Sequence, residues 1–283
     1  MNKNDNGILY IVPTPIGNLL DITYRSLEIL KKVDIIAAEN IQHTKILLNY
    51  FNITNYLISM NKHNEKKQSN FIIKQLKNRK NIAIVSNAGT PIINDPGYFL
   101  VTQCRLHNIK IIPLPGACAA ITALIASGIS ANRFCYEGFI PVKKKERCDL
   151  FQSLKKEKRT IIFYESKHRI LTSIKDIIEQ IDANRNIVIA KEITKKWEAI
   201  YYKTAINMFE WMKNNSQHYK GEMVIIIEGF KSIKKNNVST EEINTFNILN
   251  PILKLKEAVS ITSQIHKTNK NNLYKYAIKK EEK

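Results

Sequence analysis

Arginine is scarce in this chain: 8 of the 44 basic residues are Arg and the other 36 are Lys. Arg is the side chain that reads phosphates and base edges through a rigid pair of donors. The net charge of +19 therefore points only weakly to a nucleic-acid partner, because a Lys, Ile and Asn bias also follows from an A- and T-rich gene. Cysteine is sparse too. Cys104, Cys118, Cys135 and Cys148 form no Cys-x-x-Cys pair, which argues against zinc and a disulfide frame and for reduced thiols in a cytosol. No apolar run reaches the roughly 20 residues of a membrane span, and the opening MNKNDNG is unlike a signal peptide. Also missing are Gly-x-x-x-x-Gly-Lys-[Ser/Thr] and Gly-x-Gly-x-x-Gly, so neither a phosphate cradle nor the usual dinucleotide fingerprint is present.

What is present is a chain of 283 residues, 44% hydrophobic and 24% charged, enough for two domains with their own cores. Its most informative stretch is IAIVSNAGTPIINDPG, residues 82–97. Ile82 to Val85 reads as one buried strand, which stops in Ser86-Asn87-Ala88-Gly89-Thr90-Pro91 and again in Asn94-Asp95-Pro96-Gly97. Small residues at a strand end let a ligand lie against bare backbone, since no Cβ intervenes. Two further strands end the same way: 8–12 in Pro13-Thr14-Pro15-Ile16-Gly17-Asn18, and 109–113 in Leu114-Pro115-Gly116-Ala117-Cys118-Ala119. Three such loops converging on one crevice would hold a small, non-phosphorylated ligand.

Strands at 33–38 and 56–60 complete a first set, with helices between, so a parallel sheet covered on both faces is expected. Asp21 is placed to cap a helix over 22–32, and the strand at 33–38 delivers Glu39 to its end, with His43 and Thr44 on the helix that follows. After a link at 127–132, strands are expected at 134–139, 160–165, 187–191, 198–203 and 222–228, with helices at 145–156, 167–181 and 204–214. The last strands lack long crossovers, which predicts a mixed sheet. A basic loop, Val142 to Glu146, precedes Arg147. From Lys231 onward eleven Lys face five Glu, and after a linker at 234–237 helical spacing returns over 252–265 and 271–280. The expected architecture is α/β: two α/β/α domains, 1–127 and 128–230, and a basic helical extension, 231–283.

The chain resembles the tetrapyrrole-methylase superfamily, and within it the bacterial family of small-subunit rRNA cytidine 2′-O-methyltransferases. The matching stretches run in order over about residues 8–229: Thr14-Pro-Ile-Gly-Asn18, Glu39 with His43-Thr44, Ser86 to Gly97, Pro113-Leu-Pro-Gly116, Glu137-Gly-Phe139, Phe163-Tyr-Glu-Ser166 with His168-Arg169, Lys191-Glu192 with Thr194-Lys195, and Gly221-Glu222. The tail, with Leu273-Tyr274 and Ala277, is similar to that family's C-terminal extension. The resemblance implies S-adenosylmethionine as cofactor, 16S rRNA of the small ribosomal subunit as partner, and a homodimer; with the cysteine spacing and the short apolar runs, neither metal nor membrane is expected.

It places the cofactor against Pro15, Ala88, Gly89, Thr90, Asp95, Pro115, Gly116, Ala119 and Tyr164. RNA falls to Lys143, Lys144, Lys145, Arg147, Arg169 and Lys195. Transfer of a methyl group to a ribose 2′-hydroxyl calls for a proton acceptor, and Glu39, His43 and Glu165 are candidates by position. Asn87 stands where the family carries Asp, Asn40-Ile41-Gln42 where Asp-Thr-Arg is usual, Lys167 where Pro is usual, and Ala117-Cys118 where Pro-Ser is usual. Loss of that acid and of that Arg bears on rate and RNA contact. Two alternatives share these features: a tetrapyrrole methyltransferase, and a non-catalytic RNA-binding protein of ribosome assembly.

Overall fold

Each of the first five strands is an apolar run too short for a helix, and helices flank the sheet they form. The computed structural model describes residues 6–215, 221–231 and 238–281. In chain order the first half comprises β1 (Leu9–Ile11), α1 (Tyr24–Lys32), β2 (Ile35–Ala38), α2 (Ile41–Tyr50), β3 (Leu57–Ser59), α3 (Glu65–Lys77), β4 (Ile82–Val85), α4 (Tyr98–Leu106) and β5 (Ile111–Pro113). All five strands are parallel, in the order β3-β2-β4-β1-β5. Every residue of β2 and β4 is buried, which is why these segments read as continuous apolar runs without alternation. One face packs Leu9, Ile72, Leu76 and Leu100, the other Val12, Leu30, Leu48 and Leu114. Each such side chain contributes about 1.5–3 kcal/mol by leaving water.

Thr23, not Asp21, caps α1: its side chain accepts the Ser26 N–H. Leu19–Asp21 instead form a single 3₁₀ turn, closed by the Asn18 side chain on the Leu20 N–H, so Asp21 lies too early in the chain to cap the helix.

The second half begins with α5 (Ala119–Ala126) and continues through β6 (Phe134–Phe139), α6 (Lys144–Leu154), β7 (Thr160–Ser166), α7 (Ile170–Gln180), β8 (Asn186–Lys191), β9 (Ala199–Thr204), α8 (Ala205–Lys213) and β10 (Glu222–Ile227). Its sheet has the order β6-β7-β10-β8-β9. Only β6 and β7 are parallel, so the sheet is mixed as expected. β10, last in sequence, is central in space. Phe151, Phe163, Ile174, Met208 and Ile225 fill one face. On the other, Ala123 and Leu124 of α5 pack against Ile162, Val188 and Ile226, so a helix made directly after the first sheet covers the second.

The chain divides into two compact units, Met1–Phe230 and Lys231–Lys283; both sheets lie in the first. The second contains α9 (Thr240–Leu249), α10 (Leu255–His266) and α11 (Lys270–Glu281) around Phe246, Ala258, Val259, Leu273 and Ala277. The last two helices match the expected spans and α9 does not appear among them. Its signal is a capping box, in which Ser239 and Glu242 satisfy each other's backbone N–H groups. The expected linker at 234–237 lies outside the described residues. Among the described residues no helix is long and apolar enough to cross a membrane.

Candidate active site

The parallel order puts β1 between β4 and β5, so their three small-residue loops meet at one end of the sheet. Thr14 N–H donates to the Gly89 carbonyl at 2.9 Å and Gly89 N–H returns to the Thr14 carbonyl at 3.0 Å. The Thr14 hydroxyl donates to the Ser86 carbonyl at 3.1 Å, and the Thr90 hydroxyl to the Ala117 carbonyl at 3.0 Å. Gly89 has a φ of 81°, in the left-handed region where a Cβ is strained; a Cβ there would also lie 3.2 Å from Ile16 Cγ2.

These loops floor a cavity of about 540 Å³ whose other wall comes from the second sheet. Ala88, Gly89, Thr90, Asp95 and Ala119 line it from the first half, and Tyr164 from β7. The Tyr164 hydroxyl accepts the Ala120 N–H at 3.1 Å, satisfying one of the orphan donors in the first turn of α5. Burial raises the Tyr164 phenol to about 12. Burial and the neighbouring Tyr164 raise that of Tyr136 further. Tyr136 and Phe139 meet the Tyr164 ring edge-on at 5.2 and 5.4 Å. A 540 Å³ cleft that sets apolar Ile16, Ala88, Ala119 and Val224 beside polar Thr90, Asp95, Glu192 and Lys195 is of the size that takes a nucleoside-like molecule.

Pro15, Pro115 and Gly116 do not line the cavity. Gly116 instead lacks a Cβ because Pro13 occupies that place, at 2.5 Å. Glu39, His43 and Asn87 also stand outside the lining. Glu39 accepts the Asn87 N–H at 3.1 Å and so ties the ends of β2 and β4. His43 is exposed on the first turn of α2, its N–H donated to Asn40. The Asn87 Oδ1 is buried with no hydrogen-bond donor among the described residues.

Two expected roles need correction. Glu165 reaches the lining, but its side chain is 0% exposed. One oxygen accepts from Ser166 N–H and from Arg169 Nε and Nη2, and the other from the Ser173 hydroxyl, so it is a clamp and not a free base. Arg169 is thereby engaged with Glu165 at 2.8 Å. Arg147, expected on RNA, is 4% exposed. Its guanidinium donates to Asp176 at 2.6 Å and to the carbonyls of Pro141 and Val142. Lys143, Lys144 and Lys145 are exposed, Lys143 beside Glu146 at 3.0 Å.

Sequence reading marks Glu192, Lys195, Gly221 and Glu222 of the far wall only through the resemblance, and misses Ile193, Met223 and Val224. The wall is formed by the start of β10, Gly221 to Val224, and by Glu192, Ile193 and Lys195 of the β8–β9 loop. Lys195 Nζ bridges Glu192 at 3.1 Å and Glu222 at 2.8 Å. Burial pushes Glu192 upward, but the Glu222 N–H and Lys195 hold its carboxyl below the usual range. The Thr194 hydroxyl accepts the Asn18 N–H at 3.2 Å, and Gly17 leaves space for Lys195 Cγ, 2.5 Å from where a Cβ would be. This loop therefore latches the two halves together. Lys167 and His168 stand exposed at the rim.

A two-sheet α/β unit with its cleft between the sheets is the fold of a class of methyltransferases. It matches the structure of uroporphyrin-III C-methyltransferase from Thermus thermophilus complexed with S-adenyl homocysteine, at a TM-score of 0.55 and 12% identity, over 78% of this chain and 97% of that one. The chain belongs to the family of Tetrapyrrole (Corrin/Porphyrin) Methylases, whose sequence model matches residues 8–207. Its relatives include a protein named "Ribosomal RNA small subunit methyltransferase I" from Buchnera aphidicola subsp. Acyrthosiphon pisum, 68% identical over 100% of both chains. The protein of that name from Escherichia coli O157:H7 is 47% identical over 98% of this chain and 97% of its own.

Proposed function

We propose that this protein is an S-adenosylmethionine-dependent methyltransferase acting on the 2′-hydroxyl of a cytidine ribose in 16S rRNA, cytoplasmic and homodimeric. One observation carries the choice of RNA over a tetrapyrrole. Likeness to the uroporphyrin enzyme covers 78% of this chain, whereas the relatives named for ribosomal RNA are matched over 98–100%. The difference is about as large as the basic unit Lys231–Lys283.

The residues present fit the cofactor. Ala88, Gly89, Thr90 and Ala119, all small, and the aromatic Tyr164 line a cleft of suitable volume. When bound, S-adenosylmethionine supplies a methyl group on a positively charged sulfur. The rigid, mutually bonded loops hold the reacting groups in line, and the latch of Thr194 and Lys195 on the 17–18 turn keeps the two walls together. We assign residues 1–127 to cofactor binding, 128–230 to the far wall, and 231–283 to RNA. Exposed Lys144, Lys145 and Lys167 are the phosphate contacts on the first unit.

The test is incorporation of tritiated methyl from S-adenosylmethionine into unmethylated small ribosomal subunits, free 16S rRNA and uroporphyrinogen, with nuclease mapping of the product. Label at a cytidine 2′-oxygen is expected. Label in uroporphyrinogen alone would return the chain to tetrapyrrole chemistry, and no label in any substrate would favour a binding role.

A further inference from the structure

Tyr164 and Phe139 both line the cavity, and they are held differently. Tyr164 is half-buried, and its hydroxyl is engaged by the Ala120 N–H. Phe139 is 55% exposed. It meets Tyr164 with ring centres 5.4 Å apart and planes at 71°, a contact that steadies the Phe139 ring and leaves much of it uncovered. A large apolar side chain exposed singly on a surface is ordinary. One exposed within a ligand-sized cleft is not.

Backbone geometry puts the ring there. Between Tyr136, opposite Ile162, and Phe139, opposite Tyr164, β6 takes three steps where β7 takes two. The extra residue makes a β-bulge, which Gly138 enters at a φ of 74°, in the region that favours glycine. Side chains alternate along a strand, so without the bulge Phe139 would turn to the face opposite Tyr136. With it, Phe139 joins Tyr136 beside Tyr164. Bulges re-aim side chains in this way and are enriched next to active sites. This one is braced on two sides. A Cβ on Gly138 would stand 3.0 Å from Asn94 Nδ2, and the Tyr136 hydroxyl donates to Asn94 Oδ1 at 2.9 Å. Beyond it Ile140 is buried, and the guanidinium of buried Arg147 donates to the carbonyls of Pro141 and Val142 at 3.1 and 3.0 Å.

Ile93 from the first half, and Lys167 and His168 beyond β7, also line the cavity and are exposed. A rigidly placed, uncovered ring beside a cation suits a nucleotide turned out of an RNA strand: the base stacks on the ring and the phosphate meets the charge. A ribose within folded RNA reaches a methyl donor inside a cleft only if its nucleotide leaves the stack, which is unfavourable on its own. Resting on the proposed function, we infer that Phe139 is the stacking platform for the base of the target nucleotide, holding it out of the RNA while its ribose enters the cleft. Every base has a π-face, so Phe139 supplies position and leaves the choice of cytidine to other groups.

The test compares Phe139→Ala, Phe139→Leu and Phe139→Trp with wild type in single-turnover methyl transfer to saturating small subunits. Phosphate contacts hold the RNA whether or not the nucleotide is extruded. Loss of the platform therefore lowers the extruded fraction of bound substrate and shows in the rate at saturation. We expect Phe139→Ala to slow by about 5–150-fold, the worth of stacking one base. Phe139→Leu keeps apolar bulk without a ring and should be slow as well, whereas Phe139→Trp should stay within about threefold of wild type. S-adenosylhomocysteine affinity by calorimetry, oligomeric state by sedimentation, and the slope of log subunit affinity against log salt should be the same in all four. The inference is overturned if Phe139→Ala or Phe139→Leu turns over within about threefold of wild type, or if the loss equals a loss of cofactor affinity. It is overturned equally if the loss comes with a change of oligomeric state, or if Phe139→Trp is as slow as Phe139→Ala. Phe139→Leu and Phe139→Trp decide the matter if Phe139→Ala does not fold. Wild type that methylates no substrate, or uroporphyrinogen alone, ends the proposed function and this inference with it; wild type that methylates small subunits alongside an equally fast Phe139→Ala ends only the second.

Discussion

Gly89 shows how far one residue's backbone can specify a site. Its φ of 81° favours glycine, and its two bonds to Thr14 forbid the turn from relaxing. A left-handed backbone costs an L residue about 1–2 kcal/mol, and each increment of about 1.4 kcal/mol is tenfold in affinity. Gly89→Val adds a clash with Ile16, so cofactor affinity measured by calorimetry should fall by about tenfold or more. A folded Gly89→Val that binds normally would remove this loop from the site. Such glycines announce themselves in sequence, because a small residue at a strand end has few other reasons to be there. Arg147 does not. Its neighbours Lys143 to Lys145 read as one solvated basic loop, and only the fold shows that Arg147 of α6 turns inward onto Asp176, 29 residues away.

At the scale of elements, that buried pair fastens α6 to α7. Removing one partner strands a charge away from water, which costs about 3–5 kcal/mol, whereas replacing both by apolar residues is close to neutral. Arg147→Ala should therefore lower the urea-unfolding free energy by that amount, and Arg147→Met with Asp176→Leu should restore most of it. An Arg147→Ala protein with wild-type stability but weakened RNA binding would reinstate the residue as an RNA contact. The parallel first sheet was legible because its strands are continuous apolar runs separated by helices. The mixed character of the second was legible in its short connections. The position of β10 was not: hydropathy marks Glu222–Ile227 as a strand but carries no record of its neighbours. That Gly221 to Val224 wall the cavity went unread for that reason, since they reach it only because β10 lies between β7 and β8.

At the scale of the whole molecule, the +19 charge is divided between a cofactor-holding unit and a small helical one. Lys and Arg that meet phosphate release condensed counterions, so RNA affinity should fall steeply with salt. Deleting 231–283 should weaken binding to 16S rRNA and flatten the plot of log affinity against log salt, by roughly 0.7–0.9 for each phosphate that the tail neutralises. S-adenosylmethionine affinity should be unaffected. An unchanged salt slope would show that the first unit alone carries the RNA contacts.

The central place of β10 also imposes an order on assembly during synthesis. The first sheet is complete in sequence at Pro113, and its five strands need nothing made later to pair. The second cannot close: until residue 227 has been made, β7 and β8 each present an open row of backbone donors and acceptors where β10 belongs. The stretch from Ser166 to Ile227 takes about 3–12 s at typical elongation rates of roughly 5–20 residues per second. Through that interval the nascent chain carries apolar strand edges able to pair with other chains. The strand that caps both edges is the one that supplies the last wall of the cavity. Closure of the fold and formation of the binding site are therefore a single event, and a chain cut short before it has neither.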